Sequence, residues 1–204
     1  MSESRKDKER AKRRELLLEA AERVFGKKPF DEATMQEVAA QAQIGMQGLY
    51  EHFPSKQELY EGLVLQRARA FQEKAARVTA DHADPLDQLQ ALAAVYVETF
   101  RDRPAFLPVF IQERVHYDWG FTSRFGPKIH AVYRLERSRL RSIMERAVKR
   151  GILKPMDTEF LTQLCMDVLH SSLYYQHRHR PGEEVATCVN RAMTCFLSGA
   201  GERP

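Results

Sequence analysis

The sequence predicts an all-α protein of about nine helices, and two observations support that prediction. The chain contains no Asn-Gly turn and no run of alternating Val, Ile and Thr, which are the usual signs of hairpins and strands. Residues that start helices and residues that end them instead follow one another along the whole chain. The predicted helices span residues 7–26, 35–42, 46–53, 56–80, 85–102, 104–117, 125–151, 157–179 and 182–198.

Capping signals indicate where these helices begin and end. Thr34 and Ser55 are each followed three residues later by a glutamate, which is the spacing of a capping box. Asp84 precedes a proline that can occupy the first helical position, and Pro104 is expected to open the next helix in the same way. Helix ends are predicted at Gly26, Pro54, Gly151 and Pro181.

Helix length divides the chain into two predicted domains. The first three helices are short and closely spaced, whereas the later ones are long. We therefore expect a small domain over residues 1–55 and a larger helical domain over residues 56–204.

Composition restricts the class of protein. Hydrophobic residues make up 43% of the 204 residues and charged residues 29%, which suits a globular protein with a sizeable core. No run of about 18 apolar residues is present, so we expect no membrane span. The charged N-terminus does not resemble a secretory signal. Three cysteines without a Cys-x-x-Cys pair favour a reducing compartment, and we expect a cytoplasmic location.

The net charge of +4 is concentrated at the N-terminus. Residues 1–14 carry seven basic and three acidic side chains, whereas residues 15–60 carry four basic and eight acidic ones. This basic arm can bind a polyanion, or it can be a solvated helix end.

Residues 34–53 have the outline of a helix-turn-helix, with the turn at residues 43–45. Ile44 precedes the second helix and is spaced to pack on Leu49, which is the pattern of a hydrophobic staple. Gly45 is expected to need the conformational freedom of glycine in the turn. Gly48 is expected on an exposed face, where a bare backbone suits the close approach of a nucleic acid or a partner helix.

This region resembles the DNA-binding region of the tetracycline-repressor (TetR) family over roughly residues 12–64. The resemblance rests on the Leu-Tyr-x-x-Phe-Pro-Ser-Lys run over residues 49–56, together with Ala33-Thr34 and Val38-Ala39. It implies a homodimer that binds a palindromic operator in double-stranded DNA, usually as a repressor. It also implies release of the operator when a small-molecule effector enters the helical body. Where the family commonly reads Ser-Lys-Gly-Thr before Leu-Tyr, this chain has Gly-Met-Gln-Gly.

Roles on DNA follow from side-chain chemistry. The hydroxyl of Thr34, the donors of Tyr50 and His52, and the ammonium of Lys56 are expected to contact phosphates. Gln47 is the candidate reader of adenine, so we expect half-sites whose key positions are A·T. The complete set of predicted DNA-binding residues is Thr34, Gly45, Met46 (against a thymine methyl), Gln47, Gly48, Tyr50, His52 and Lys56.

The larger domain is rich in aromatic residues and ends in two helices with broad apolar faces. Aromatic residues at helical spacing are usually core, but the resemblance implies that some line an effector pocket with its mouth near residues 116–128. The pocket candidates are Phe100, Phe110, His116, Tyr117, Trp119 and Tyr133. The apolar faces suit either the core of one chain or a dimer contact, for which the candidates are Leu161, Cys165, Val168, Leu169, Cys188, Ala192 and Cys195.

Two other classes of function compete with a regulator. An enzyme or metal protein would use His170, His177 and Asp167, but a metal site in a helical bundle requires paired Glu-x-x-His segments, and the sequence has none. Phosphate-binding loops, dinucleotide fingerprints and Ser-His-Asp spacing are also absent from the sequence, so we expect no catalytic residues, no metal and no cofactor. The other alternative is a helical interaction module that binds protein instead of DNA.

Overall fold

A computed structural model of the chain describes residues 5–118 and 127–201, and within these ranges it contains nine α-helices and no strand. The prediction of an all-α fold is confirmed. None of the helices in these ranges is both long enough and apolar enough to cross a bilayer. The helices are α1 (Arg5–Phe25), α2 (Met35–Ala42), α3 (Met46–His52), α4 (Lys56–Ala80), α5 (Pro85–Asp102), α6 (Phe106–Asp118), α7 (Pro127–Lys149), α8 (Thr158–His179) and α9 (Val185–Ala200).

Three of the predicted helix starts are made by the expected caps. Thr34 forms a complete capping box with Glu37, because each side chain binds the other residue's backbone N–H. The hydroxyl oxygen of Ser55 accepts a hydrogen bond from a backbone N–H three residues later, at 3.1 Å. Asp84 caps α5 by accepting the N–H of Leu86 at 2.8 Å.

Pro104 does not open a helix, contrary to the prediction. α6 begins at Phe106, whose N–H donates to the carbonyl of Arg103 at 3.0 Å across a tight turn. Arg103 has an extended φ of −135°, which agrees with the steric bias that a proline imposes on the residue before it.

One hydrophobic cluster joins the first three helices to the rest of the protein. It contains Leu17 and Phe25 of α1, Leu49 of α3, and Tyr60 and Leu63 of α4, all at most 1% exposed. The same cluster continues into α5, α6 and α8. A second cluster lies among α7, α8 and α9. The short N-terminal helices are therefore packed on α4, which also contributes to the core of the larger domain.

Buried charges add a second connection between α1 and α4. The guanidinium of Arg67 donates to Glu22 at 2.7 Å and to Glu15 at 2.8 Å, and its side chain is 5% exposed. Arg103 contributes a further cation, 3.3 Å from the carboxylate of Glu22. Burial disfavours the ionised form of Glu15, but the hydrogen bond and charge of Arg67 outweigh it and lower the pKa of Glu15.

α1 ends against the turn that precedes α6. A Cβ built on Gly26 would lie 2.3 Å from the carbonyl oxygen of Ala105 and 2.9 Å from that of Glu22. Both contacts are with backbone, which cannot move without shifting a helix end. Only glycine allows α1 to approach this turn so closely.

The Gly26→Ala variant is therefore expected to lose on the order of 1–3 kcal/mol of unfolding free energy through steric overlap. Gly199→Ala is the matched control, because nothing lies within 4 Å of its added Cβ on α9. That control is expected to gain up to about 1 kcal/mol from helix propensity. Urea unfolding followed by circular dichroism measures both variants, and equal stability of the two would contradict the close contact.

Candidate nucleic-acid interface

The helix-turn-helix is closed by a left-handed residue at Gln43 and not at Gly45. Gln43 has φ 55° and ψ 40°, and its N–H binds the last carbonyls of α2. Gly45 has φ −64° and ψ 150°, which any residue can adopt, and a Cβ on it would meet nothing within 4 Å. The prediction that Gly45 needs the conformational freedom of glycine is therefore wrong, because the reversal occurs two residues earlier.

Packing divides α3 into a buried face and an exposed face. Leu49 is fully buried, and Met46 is half-buried against the same core instead of projecting freely, as its proposed contact with thymine requires. Gln47 and Tyr50 are exposed, which their predicted contacts with a base and with a phosphate require. The amide of Gln47 lies 3.4 Å from the carboxylate of Glu51, so this exposed face also carries a negative charge.

Gly48 faces the turn. It is half-buried, and a Cβ built on it would lie 3.0 Å from Cγ2 of Ile44. Close packing of the turn on α3 is thus one physical reason for a glycine at this position. The expected role of Gly48 in admitting a large surface stays a prediction.

The two predicted phosphate ligands at helix starts already have partners. The hydroxyl of Thr34 donates to Glu37 at 3.0 Å, and the carboxylate of Glu37 lies at the N-terminus of α2. Hydrogen bonds from Lys28 and then from Thr34 lower the pKa of Glu37. The ammonium of Lys56 donates to the carbonyls of Phe30 and Ala33, both at 2.8 Å.

The expectation for Lys56 therefore needs correction. A third carbonyl, that of Asp31, lies 3.4 Å from the same ammonium, whose cation also sits over the Phe30 ring at 4.5 Å. An ammonium has three hydrogens, and here each has an acceptor in the loop before α2. Lys56 holds that loop in place, and a phosphate would have to displace one of these acceptors.

The basic arm is the start of α1, and it lies beside the end of α3. Helix α1 begins at Arg5, so residues 5–14 continue directly into the buried part of the same helix. An open groove of about 600 Å³ separates this helix end from α3. The groove is lined by Lys6, Glu9, Arg10, Lys12, Arg13, Leu16, Glu51 and His52.

His52 connects these cations to α3. Burial of the imidazole is the largest cause that lowers the pKa of His52. The positive charges of Arg10, Arg13 and Arg14 lower this pKa further, whereas the negative charge of Glu51 raises it. The guanidinium of Arg14 also stacks over the ring of Phe53 at 4.7 Å. The imidazole of His52 is thus biased toward its neutral form by a cluster of cations.

Helical periodicity would have located these arginines. Arg10, Arg13 and Arg14 lie seven, four and three residues before Leu17, so they extend its buried stripe toward the start of α1. The arm was predicted only as one charged segment, without this face. A second basic group, formed by Arg23, Lys27 and Lys28, lines a groove beside the end of α2.

Two small cavities lie among the described residues of the larger domain. Cavity I, of about 40 Å³, is lined by Leu89, Cys165, Leu169 and Arg139 among others, and burial raises the pKa of the Cys165 thiol to about 12. Cavity II, of about 30 Å³, is lined by residues that include Arg67, Gln72, Phe100, Phe110 and Tyr133. The side chains of Phe71, Tyr96 and Glu136 line both cavities.

Three of the predicted pocket residues, Phe100, Phe110 and Tyr133, line cavity II. Trp119 lies outside the described residues, as do the side chains of His116 and Tyr117 on α6.

Within residues 5–118 and 127–201, no three His, Cys, Asp or Glu side chains are grouped so that they can hold a metal. His170 packs beside the rings of Tyr96 and Phe110.

Most residues predicted for the dimer contact are buried within the single chain. This holds for Leu161, Cys165, Leu169, Cys188 and Ala192, which are at most 6% exposed. Val168 is half-buried and Cys195 is exposed. The expectation is corrected for the five buried residues, because side chains already packed in the protomer's core cannot contact a partner without rearrangement.

Comparison with known proteins adds independent information. The family model described as "Bacterial regulatory proteins, tetR family" matches residues 17–63. The HTH-type transcriptional repressor NicS of Pseudomonas putida is 25% identical over 141 residues, which are 69% of this chain and 66% of that protein.

Two solved structures share the fold. FadR from Bacillus subtilis in complex with stearoyl-CoA has a TM-score of 0.78 and 14% identity, covering 91% of this chain and 98% of that one. AibR in complex with isovaleryl coenzyme A and operator DNA has a TM-score of 0.74 and 18% identity, covering 93% and 98%. Residues 17–63, which include the helix-turn-helix, are thus similar to the tetR family of bacterial regulatory proteins.

Proposed function

We propose that the protein is a cytoplasmic repressor that binds a palindromic operator as a homodimer and releases it when a small molecule enters cavities I and II. The observation that carries this proposal is the groove in which the basic start of α1 meets the end of α3. Cations beside an exposed helix supply phosphate contacts that orient this helix in a major groove. The likeness to a named repressor and to a fold neighbour bound to operator DNA supports it.

Contacts with DNA divide between two elements in this proposal. Gln47 of α3 faces the base edges and Tyr50 contacts a phosphate, with Glu51 able to accept a hydrogen bond from a cytosine amino group. The arginines of α1 bind flanking phosphates, because the described part of α3 carries no lysine or arginine. The operator-binding domain corresponds to residues 1–55 and the effector domain to residues 56–204.

The proposed dimer contact uses the outer faces of α8 and α9. Phe160, Tyr174 and Tyr175 of α8 are about half exposed, which is unusual for large aromatic side chains grouped on one helix. Covering them with a second copy would place two α3 helices on one operator, as half-sites one helical turn apart require.

Release by a small molecule is supported by the architecture. Cavity II is lined by Arg67, whose guanidinium also holds Glu15 and Glu22 of α1. A ligand that displaces the lining of this cavity therefore acts on a residue that holds α1. Fold neighbours bound to stearoyl-CoA and to isovaleryl coenzyme A show that related folds accept small molecules.

Selection of bound duplexes from a randomised pool tests operator binding. We expect an A·T-weighted palindrome, and Gln47→Ala is expected to lose about 1–3 kcal/mol of discrimination at the position it reads. Gln90→Ala, on the exposed surface of α5, is the control. An indispensable guanine unaffected by Gln47→Ala would contradict the assigned reader. A dimer without any enriched sequence would favour the helical interaction module.

Neutralising the start of α1 tests the role of its cations in binding phosphate. The double variant Arg10→Gln/Arg13→Gln is expected to weaken operator binding and to reduce the slope of log K against log salt by about 0.9 for each phosphate that is no longer bound. The control removes two exposed cations of α7, with Arg134→Gln/Lys149→Gln. Fluorescence anisotropy across a salt series measures both. An unchanged slope would leave the start of α1 as a solvated helix end.

The histidine beside these arginines predicts pH dependence. In the free protein the pKa of His52 lies below its ordinary value of 6.5, and phosphates that neutralise the neighbouring cations are expected to raise it in the complex. DNA binding then takes up a proton, so affinity rises as pH falls from 7 through the free-protein pKa. For each subunit, the uptake of one proton can raise the affinity by at most about tenfold per pH unit.

Operator affinity is measured between about pH 5.5 and 8, the range in which histidines ordinarily titrate. The affinity of the wild type should rise as the pH falls, and the affinity of His52→Gln should not. His177→Gln, which changes an exposed histidine of α8, is the control. The same pH dependence in His52→Gln and the wild type would exclude this histidine as its source.

A further inference from the structure

Cavities I and II share three lining side chains, which are called the partition here. The partition consists of Phe71, Tyr96 and Glu136, which line both cavities. The ring of Phe71 packs edge-on against Tyr96 with 4.8 Å between centroids, and the Tyr96 hydroxyl donates to Glu136. With volumes of about 40 and 30 Å³, the separate cavities have room for only a few waters. A larger occupant has to displace the partition and join them.

Three charged side chains line this space, and their partners differ. Arg67 in cavity II is paired with Glu15 and Glu22. The carboxylate of Glu136 accepts the hydrogen bond of Tyr96. Arg139 in cavity I has no carboxylate within 4 Å among the residues that the structure describes, and its hydrogen bond is to the neutral amide oxygen of Gln72, at 2.7 Å.

The surroundings of Arg139 do not compensate its charge. Desolvation lowers the pKa of this guanidinium, and the more distant charge of Glu136 on the same helix opposes that effect only in part. A partly desolvated cation without an ion pair is costly, because it has lost hydration without gaining a counter-charge. A guanidinium also presents a planar fork of donors that matches a carboxylate.

We propose that Arg139 is the anion anchor of the effector space, so that the effector is an amphipathic carboxylate. This inference rests on the proposed function as a ligand-released repressor. The carboxylate replaces the amide oxygen of Gln72 as the acceptor of the Arg139 hydrogen bond. The apolar body extends among Leu89, Leu92 and Leu169 and, once Phe71 and Tyr96 have moved, into cavity II.

Calorimetry on the full-length protein without DNA tests the anchor. The probes are decanoate and phenylbutyrate, their methyl esters, which keep the carbonyl but lose the charge, and decylamine. We expect at least one carboxylate to bind about ten- to hundredfold more tightly than its ester, as a charged hydrogen bond implies. Decylamine should bind more weakly than decanoate.

The Arg139→Gln variant is expected to bind the carboxylate only as tightly as the wild type binds the ester. Arg139→Lys retains the charge and should restore most of the preference. Arg141→Gln is the matched control, because Arg141 lies on the same helix but is exposed and paired with Glu145 and Glu159. Circular dichroism of each variant establishes that it is folded.

Several outcomes overturn the anchor: a carboxylate affinity unaffected by Arg139→Gln, equal affinity of the wild type for acid and ester, or no binding of either carboxylate. Operator release is measured separately by anisotropy. Carboxylate binding that depends on Arg139 but leaves the operator bound would support the anchor and contradict ligand-released repression. Release that is unaffected by Arg139→Gln would support the regulator and overturn the anchor.

Discussion

The buried ion pairs of Arg67 are the constraint on which the rest of the architecture depends. This one guanidinium on α4 holds two carboxylates of α1 and also lines cavity II. A buried ion pair adds little net stability compared with apolar packing, but loss of one partner strands the other charge at a cost of about 3–5 kcal/mol. The pairs therefore restrict how α1 can sit on α4. Because α1 also carries the cations beside α3, the same restriction positions the proposed DNA-binding surface.

Positive charge for DNA lies mainly on α1 and at the edges of the helix-turn-helix, and not on α3. The exposed face of α3 presents Gln47, Tyr50 and Glu51, and its most direct electrostatic support comes from Arg10 and Arg13 across the groove. Lys56, the last residue of the Leu-Tyr-x-x-Phe-Pro-Ser-Lys run, holds the loop before α2. In the proposed complex, this division separates the side chains that read bases from those that bind phosphate, so that each set can change without disturbing the other.

The proposed effector space shows a comparable division between shape and charge. Its walls are mostly apolar, as expected for small-molecule sites, with a few polar groups that fix orientation. Arg67 is neutralised by α1 and Glu136 is bonded to Tyr96, which leaves Arg139 as the lining cation with a neutral partner in the described structure. Because the two cavities are small and separate, a ligand larger than a few waters can bind only if Phe71 and Tyr96 move.

The sequence by itself determined the all-α fold and the helix starts capped by Thr34, Ser55 and Asp84. Capping boxes, proline positions and apolar periodicity act between residues a few positions apart, and therefore they can be read along the chain. Tertiary structure alone decided that Lys56 binds three loop carbonyls, that Met46 packs on the core, and that Arg139 faces an apolar cavity beside Gln72. Each of these depends on which distant segments meet, and local spacing carries no information about that. The five buried residues of α8 and α9 illustrate the same limit, because an apolar stripe is identical in sequence whether a partner or the chain itself covers it.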